Sequence, residues 1–534
     1  ERVRQVIEVC DRQGLVIILS CFYQRQDQIL SGDEAIRRAV VNAATWVRER
    51  GYANVVLEIA NEFPHGGFDH RLIRSAEGEI ELMRLARDTS PGLLVSTSGM
   101  GAGELSEQVA GAADFLLIHF NGAKLEQIPG RIAEFKKLKK PIVCNEDAKT
   151  GASGARAAEL SVTAGAAWGF MDEKQNQHLP FKFAGPADDA VVYRMLRRLT
   201  APFPGKSWPQ MAPAAVGLDA TRLEQLGALA GGNGCVIRHG RQAFSWGDVA
   251  RRGDIASAAK PWYAHLLALA VAGGKIKGFD APVAEVEPRL EALNSQLGHK
   301  DCRITWRHLI NQTSCYGVLE APGEAFDYSD FNMALLFDTL FTRVYGTKWQ
   351  DVDRDVLRPL LTDRIGCEDE PTCMVFGAGD RAGRMGISVR DMARFGWLTL
   401  HAGNWKGEQL LDEKLATMLV SSPLPSALPR TAGEKAEMLE RQRSIGGGNN
   451  QTDHLGSYSF AWWTNGVDRD GHRHWTAAPH DTYAAMGHGG ERALVVIPSL
   501  DLVVAWNDTR INTRERQNAA LRAIVAACEQ GVAE

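Results

Sequence analysis

No run in these 534 residues approaches the ~20 apolar positions that a membrane helix needs, and the longest, near Leu266 to Gly273, is far too short. Cys-x-x-Cys is absent. Nine cysteines, an odd number spread over both halves, read as free buried thiols. Cys367 and Cys373, which flank the polar loop Glu368-Asp369-Glu370-Pro371-Thr372, are the one candidate place for a small disulfide loop, with Cys302 and Cys315 a weaker second candidate. Positive charge is not in excess: a net charge of -5 gives no electrostatic footing for nucleic acid. Gly-x-Ser-x-Gly is missing, which removes the nucleophile elbow of α/β-hydrolases. The chain opens at Glu1 without a Met or a signal-peptide pattern. No motif calls for a cofactor or a metal. The loop from His65 to His70 has no further ligand partners, and Gly446-Gly447-Gly448-Asn449-Asn450 lacks the lysine of a phosphate cradle and reads as a flexible loop.

What is present divides in two. The length exceeds one ordinary core, so a multidomain chain is expected. From residue 1 to 203, helix-like stretches alternate with short apolar runs: Leu15 to Leu19, Asn54 to Ile59, Leu93 to Ser96, Phe115 to Ile118, Pro141 to Cys144 and Ala166 to Phe170. Near-continuous apolar strands separated by amphipathic helices indicate a parallel sheet covered by helices, an α/β domain of six visible units. The run from Ala201 to Pro209, rich in proline and small residues, marks a boundary. Residues 204–534 then read as an α+β domain. An early hairpin turns at Gly240, a long helical middle follows, and a late hairpin turns at Pro498 to Asp501. A terminal helix runs from about Arg514 to Gln530. The first and last strands are expected to meet in one antiparallel sheet.

Three short segments of the second domain carry chemistry. In Ser257-Ala258-Ala259-Lys260 the spacing of three puts amine and hydroxyl on one helix face. A serine is a weak nucleophile until a base takes its proton, and a lysine serves if burial and nearby positive charge lower its pKa. Tyr328-Ser329-Asp330 and His488-Gly489-Gly490 follow. Singly, each has an ordinary structural role: a helix cap, a core tyrosine, a turn histidine. In this order, and with the flanking segments Arg303 to Ser314 and Gly386 to Gly396, they resemble the serine β-lactamase and penicillin-binding-protein superfamily, in its class C β-lactamase-like branch. The resemblance implies a β-lactamase-like fold and an acyl-enzyme on Ser257. Lys260 and Tyr328 would share general base and acid duties, with His488 as part of the site. Backbone N–H groups of Ser257 and Glu491, the latter just beyond Gly489 and Gly490, would hold the oxyanion. The sequence departs from the pattern twice. Asp330 stands where asparagine is usual, and an ionised carboxylate only accepts hydrogen bonds. His488 stands where lysine is usual. Both departures point away from β-lactam substrates and towards an esterase, amidase or peptidase.

The first domain carries a second pattern. Asn61-Glu62 ends one strand-like run and Glu146 another, three units later. Two carboxylates at one rim suit glycoside hydrolysis. The arrangement resembles the cellulase-like (β/α)₈ glycosidases, which implies an incomplete TIM barrel whose first visible strand is the third of eight. Glu62 would be the acid/base and Glu146 the nucleophile, with Asn61, His119 and Trp168 lining the sugar site. The expectation overall is a serine hydrolase acting on a small ester or amide, or on an acylated polysaccharide, with a glycosidase-like barrel attached. The resemblance also implies export. The alternatives are a glycosidase with its main activity in the barrel, or a protein that binds carbohydrate or peptidoglycan without turnover.

Overall fold

The six apolar runs of the first half become six parallel strands: β1 (Ile17–Phe22), β2 (Val55–Ala60), β3 (Val95–Ser96), β4 (Leu116–His119), β5 (Ile142–Asp147) and β6 (Ala167–Phe170). The computed structural model describes residues 1–529 except 13, 179, 201, 374–382 and 441–442, so Ala201 and Gln530 of the expected boundary and terminal helix lie outside the described residues. The chain divides into two compact units, Glu1–Thr200 and Ala201–Glu534. No described helix is long and apolar enough to cross a membrane.

In the first unit each strand pairs with its sequence neighbour. Leu19 lies opposite Leu57, Leu57 opposite Val95, and Val143 between Leu117 and Ala167. A bridge from Ser98 to Leu117 connects the two three-stranded runs. The helices between strands follow from local chemistry. Asp33–Arg50 has Asp33 and Glu34 in its first turn and Arg48 and Arg50 in its last, and it stops at left-handed Gly51. Its Ile36, Val40, Ala44 and Val47 share one face and are buried. Parallel strands end at a common rim, so Glu62, His119 and Glu146 arrive together there.

The second unit is built on a seven-stranded antiparallel sheet. Its strands are β7 (Asn233–Arg238), β8 (Arg241–Trp246), β9 (Tyr458–Ser459), β10 (Trp462–Thr464), β11 (Tyr483–Gly487), β12 (Arg492–Ile497) and β13 (Leu502–Asn507), in the spatial order β9-β10-β11-β12-β13-β7-β8. The early hairpin thus docks on the late one, with Val236 opposite Val504. His239 and Gly240 both take positive φ in the first turn, the geometry that suits a two-residue hairpin. The helix Val389–Leu400 packs on this sheet through Gly396, where a Cβ would come within 2.6 Å of Val503 and 2.7 Å of Leu494. The helix Lys260–Ala272 is buried on nearly every side, and Trp262 stacks on Phe395 at 4.0 Å between centroids. Such a contact adds about 1 kcal/mol to the burial of the rings.

Neither candidate disulfide forms: Cys302, Cys315, Cys367 and Cys373 are free thiols, as the default reading has it. Ion pairs hold the loop between Cys367 and Cys373 instead. Arg394 reaches Glu368 at 2.9 Å and Arg390 reaches Asp369, while both amides of Glu368 and Asp369 donate to Asp391.

Candidate active site

Ser257 sits in a tight turn, Ala256–Ala259, that runs straight into the helix Lys260–Ala272. Ala256 is forced to positive φ, a costly conformation for a residue with a Cβ, and its N–H is fixed by Asp254 Oδ1 at 2.9 Å. The end of β11 presses on this turn. A Cβ on Gly487 would lie 2.4 Å from Ile255 O and 3.2 Å from Ser257 N, so only glycine fits. The three-residue spacing delivers what it promised: Lys260 Nζ donates to Ser257 Oγ at 2.7 Å.

Lys260 is 1% exposed. Its nearest charge is negative, contrary to the expectation of a positive neighbour. Nζ donates to Asp330 Oδ1 at 3.0 Å and lies 4.6 Å from the centroid of the Tyr328 ring. Burial pushes the ammonium down, but Tyr328 and Asp330 outweigh it and hold Lys260 above its ordinary value. The resting amine is therefore charged. It orients the serine hydroxyl and supplies positive charge beside it; it does not stand ready as a neutral base.

Tyr328 is buried in an aromatic stack. Its ring lies 6.2 Å from Trp463, nearly parallel, and Trp463 in turn stacks on His474 at 5.6 Å. Ser329 caps the helix Asp330–Asp338 through Asn332 N, and its hydroxyl donates to Asn449 at 2.6 Å. The glycine-rich run at 446–450, read from sequence as a flexible loop, is tied to this motif. Asp330 N donates to Gly448 O at 3.1 Å and Gln451 N to Tyr328 O at 3.1 Å.

His488, Gly489 and Gly490 all take positive φ, making a sharp turn between β11 and β12. Glu491 N is directed to His488 O at the long distance of 3.3 Å. The His488 ring is half exposed, and Arg492 contacts its Nδ1. Burial and the charges of Arg492 and Arg384 lower its pKa, so it is neutral near pH 7 and does not replace the usual lysine cation. Ser257 opens onto a pocket of about 400 Å³ lined by Tyr328, Leu455, Trp463, His474 and Met486. Sequence reasoning missed Asp254, Gly487, Gln451 and Trp463. Only Gly487, directly before the His488-Gly489-Gly490 motif, carried a readable signal.

In the first unit, Glu62 also takes positive φ, and its N–H donates to Ser98 Oγ at 2.8 Å. Its carboxylate faces His119 Nδ1 at 3.1 Å and accepts from Gln24 at 2.9 Å, and Gln24 also reaches Asn61 at 3.3 Å. Glu146 accepts from Asn121 at 2.6 Å and lies 3.8 Å from His119. One atom each of Glu62, His119 and Glu146 fall within 4.8 Å of one another. The His119 bond lowers the Glu62 pKa. Burial works against a proton on His119, but Glu62 and Glu146 outweigh it, so the proton favours the ring. Trp168 is buried in the core and spends its N–H on Asp147 at 2.9 Å, not on the cluster. His65 and His70 are engaged separately, with Gly67 N and with Asp27.

A family model described as Beta-lactamase matches residues 220–527. No curated protein matches the chain. Among solved structures, a β-lactamase from Mycobacterium bovis is 20% identical, covering 57% of this chain and 98% of its own, with a TM-score of 0.39. A penicillin-binding-protein homologue from Caulobacter crescentus is 15% identical over 60% of this chain and 98% of its own, at 0.39. A class C β-lactamase from Rhodobacter sphaeroides is 17% identical over 58% and 99%, at 0.35. The family match takes in Ser257, Lys260, Tyr328 and the His488 turn and spans more than half of the sequence: the chain belongs to the β-lactamase family of serine hydrolases.

Proposed function

We propose that the second unit is an esterase or amidase that works through an acyl-enzyme on Ser257. The observation that carries this reading is the 2.7 Å contact between Ser257 Oγ and the buried Lys260 amine at the mouth of the 400 Å³ pocket. Because Lys260 rests as an ammonium, proton acceptance is assigned to Tyr328, whose ring lies 4.6 Å from Lys260 Nζ. Ser257 Oγ bonds to the acyl carbon, and its proton passes to Tyr328. The bond from that carbon to the leaving oxygen or nitrogen breaks, and Tyr328 returns the proton to the departing group. Water then cleaves the acyl-enzyme by the reverse sequence, releasing the acid and restoring Ser257. The Ser257 and Glu491 amides would hold the oxyanion, with Gly489 and Gly490 shaping the turn that presents the second of them.

Asp330 and His488 argue against β-lactam turnover. An acceptor-only carboxylate and a neutral ring replace an amide and a cation, and both would otherwise greet a β-lactam's acylamide and carboxylate. The test is a fluorophosphonate probe with intact-mass readout on the whole chain: one adduct on Ser257 is expected, absent in Ser257→Ala. No adduct, with glycan binding retained, would leave the non-catalytic binding reading in its place.

A second reading is favoured by the close approach of Glu62, His119 and Glu146 within 4.8 Å, near the ~5–5.5 Å carboxyl separation of retaining glycosidases. The sequential parallel strands suit part of a (β/α)₈ barrel, with residues 1–203 as the domain and 204–534 as its partner. It stands second because an acid/base glutamate must hold a proton, and here His119 takes it from Glu62. Glucan cleavage lost in both Glu62→Gln and Glu146→Gln supports the reading, and cleavage unchanged in either removes it.

A further inference from the structure

The turn from β11 to β12 carries the Glu491 N–H that the serine-hydrolase reading assigns to the oxyanion. Two glycines precede it, Gly489 at φ 65° and Gly490 at φ 103°. Without a Cβ, such residues turn their peptide planes at little cost. A trans peptide is planar, with its C=O and N–H on opposite sides. A flip of the peptide between Gly490 and Glu491 would therefore put a carbonyl where the donor belongs. The plane has to be held from outside the turn.

Two buried indoles do this, one directly and one through an amide. Trp506 on β13 donates from Nε1 to Gly490 O at 2.7 Å, the carbonyl of the same peptide that bears the Glu491 N–H. Gln517, on the helix Arg514–Glu529, donates from Nε2 to Gly489 O at 2.7 Å. Its Oε1 accepts from Trp475 Nε1 at 2.9 Å, so the amide is fixed at both ends. The next carbonyl, Glu491 O, receives Thr509 N at 3.1 Å and Thr509 Oγ1 at 2.9 Å. Three successive carbonyls are thus tied to buried donors. The turn is also packed tightly: a Cβ on Gly490 would stand 3.0 Å from Gln517 Nε2, and one on Gly489 2.6 Å from Asn512 O. Glu491 N itself reaches His488 O only at 3.3 Å, a weak bond that a charged oxyanion outcompetes.

We propose that Trp506 and Gln517 are positioning residues that lock the two glycine peptides and so keep the Glu491 amide turned to the oxyanion. The inference rests on the serine-hydrolase reading and deepens it. Trp506 does not line the pocket and acts only through Gly490 O. Gln517 acts through Gly489 O, one peptide further from the donor, so its share is the smaller.

Trp506→Phe keeps a ring in the core and removes only the N–H. An aryl trifluoromethyl ketone is the probe of the oxyanion. Ser257 Oγ bonds to its carbonyl carbon, the serine proton passes to Tyr328, and the carbonyl oxygen takes up the negative charge. A matched aryl ester gives kcat and KM, with each rate divided by the number of sites that a fluorophosphonate labels. Removing one oxyanion donor costs about a hundredfold to a thousandfold, and misaiming it costs part of that. Trp506→Phe should lower kcat and ketone affinity in parallel, by about tenfold or more, with KM changed less. Gln517→Met should do the same to a smaller degree, and it keeps the test open if Trp506→Phe folds poorly. A merely structural role would reduce the number of labelled sites and leave kcat per site and ketone affinity as they were. That result in Trp506→Phe, or in Gln517→Met where the first does not fold, overturns the proposal and leaves the hydrolase reading intact. So does a rise in KM alone. Absence of any Ser257 adduct on the unmodified protein, from fluorophosphonate and ketone alike, ends both.

Discussion

Lys260 and Asp330 form a buried ion pair, 3.0 Å from nitrogen to oxygen, directly behind the nucleophile. A buried pair is costly to break from one side, because the surviving charge loses its partner. Lys260→Met should therefore lose about 3 kcal/mol of stability in urea unfolding. Lys260→Met with Asp330→Asn should recover most of it without regaining activity. The Lys260 value is raised on folding, so its contribution is whole below the ordinary lysine range and fades as pH rises through the folded value. A double variant no more stable than the single would show that the pair is not the stabilising unit.

Nucleophile and ammonium act together, so their losses should not add. Ser257→Ala and Lys260→Ala should each lower kcat/KM on short aryl esters by about a thousandfold or more, and the double variant should fall little further. Aryl esters should also be turned over far better than penicillins or cephalosporins. Steady-state kinetics check both, and efficient penicillin hydrolysis would overturn the esterase lean.

Gly487 is a positioning residue. The Cβ of Gly487→Ala would meet Ile255 O at 2.4 Å and push β11 away from the Ser257 turn. A displacement near 1 Å costs about a hundredfold in rate. We expect that loss mainly in kcat, with KM for aryl esters changed less. A KM effect alone would mean that the turn tolerates the methyl group.

His265 is fully buried edge-on against Phe395, and burial lowers its pKa to about 4. It is neutral when folded and protonates readily once unfolded. The folded value is depressed, so the associated stability is present above pH 6.5 and is lost as pH falls towards 4. The loss is on the order of 3 kcal/mol at the acid end. His265→Leu should flatten the fall in urea midpoint between pH 6.5 and 4. An equally steep fall in the variant would assign acid sensitivity to other groups, such as His474.

Local patterns were legible because local physics makes them. The hairpin at Gly240, the six apolar strand runs and the three-residue step from Ser257 to Lys260 each depend on neighbours in sequence. What stayed hidden depends on segments that only the fold brings together. The partner of Lys260 is seventy positions away, so the carboxylate that Asp330 sets beside the lysine was not readable. The loop at 446–450 read as flexible because its anchors, Tyr328 and Asp330, lie far upstream. Cys367 and Cys373 read as a disulfide candidate because Arg390 and Arg394, which clamp the loop between them, come from a later helix. Trp168 read as lining the sugar site, and the bond from its N–H to Asp147 at 2.9 Å was not readable.

The pairing of β7 with β13 has a consequence for the timing of synthesis. Asn233 emerges well before Asn507, yet the two lie opposite each other in the sheet. At about 5–20 residues per second, the first hairpin waits on the order of tens of seconds with one edge unsatisfied. The Ser257 turn waits as well, because Gly487 must arrive to brace it. A nascent chain thus carries its nucleophile long before it can use it, and hydrolysis begins only after translation of the domain is nearly complete.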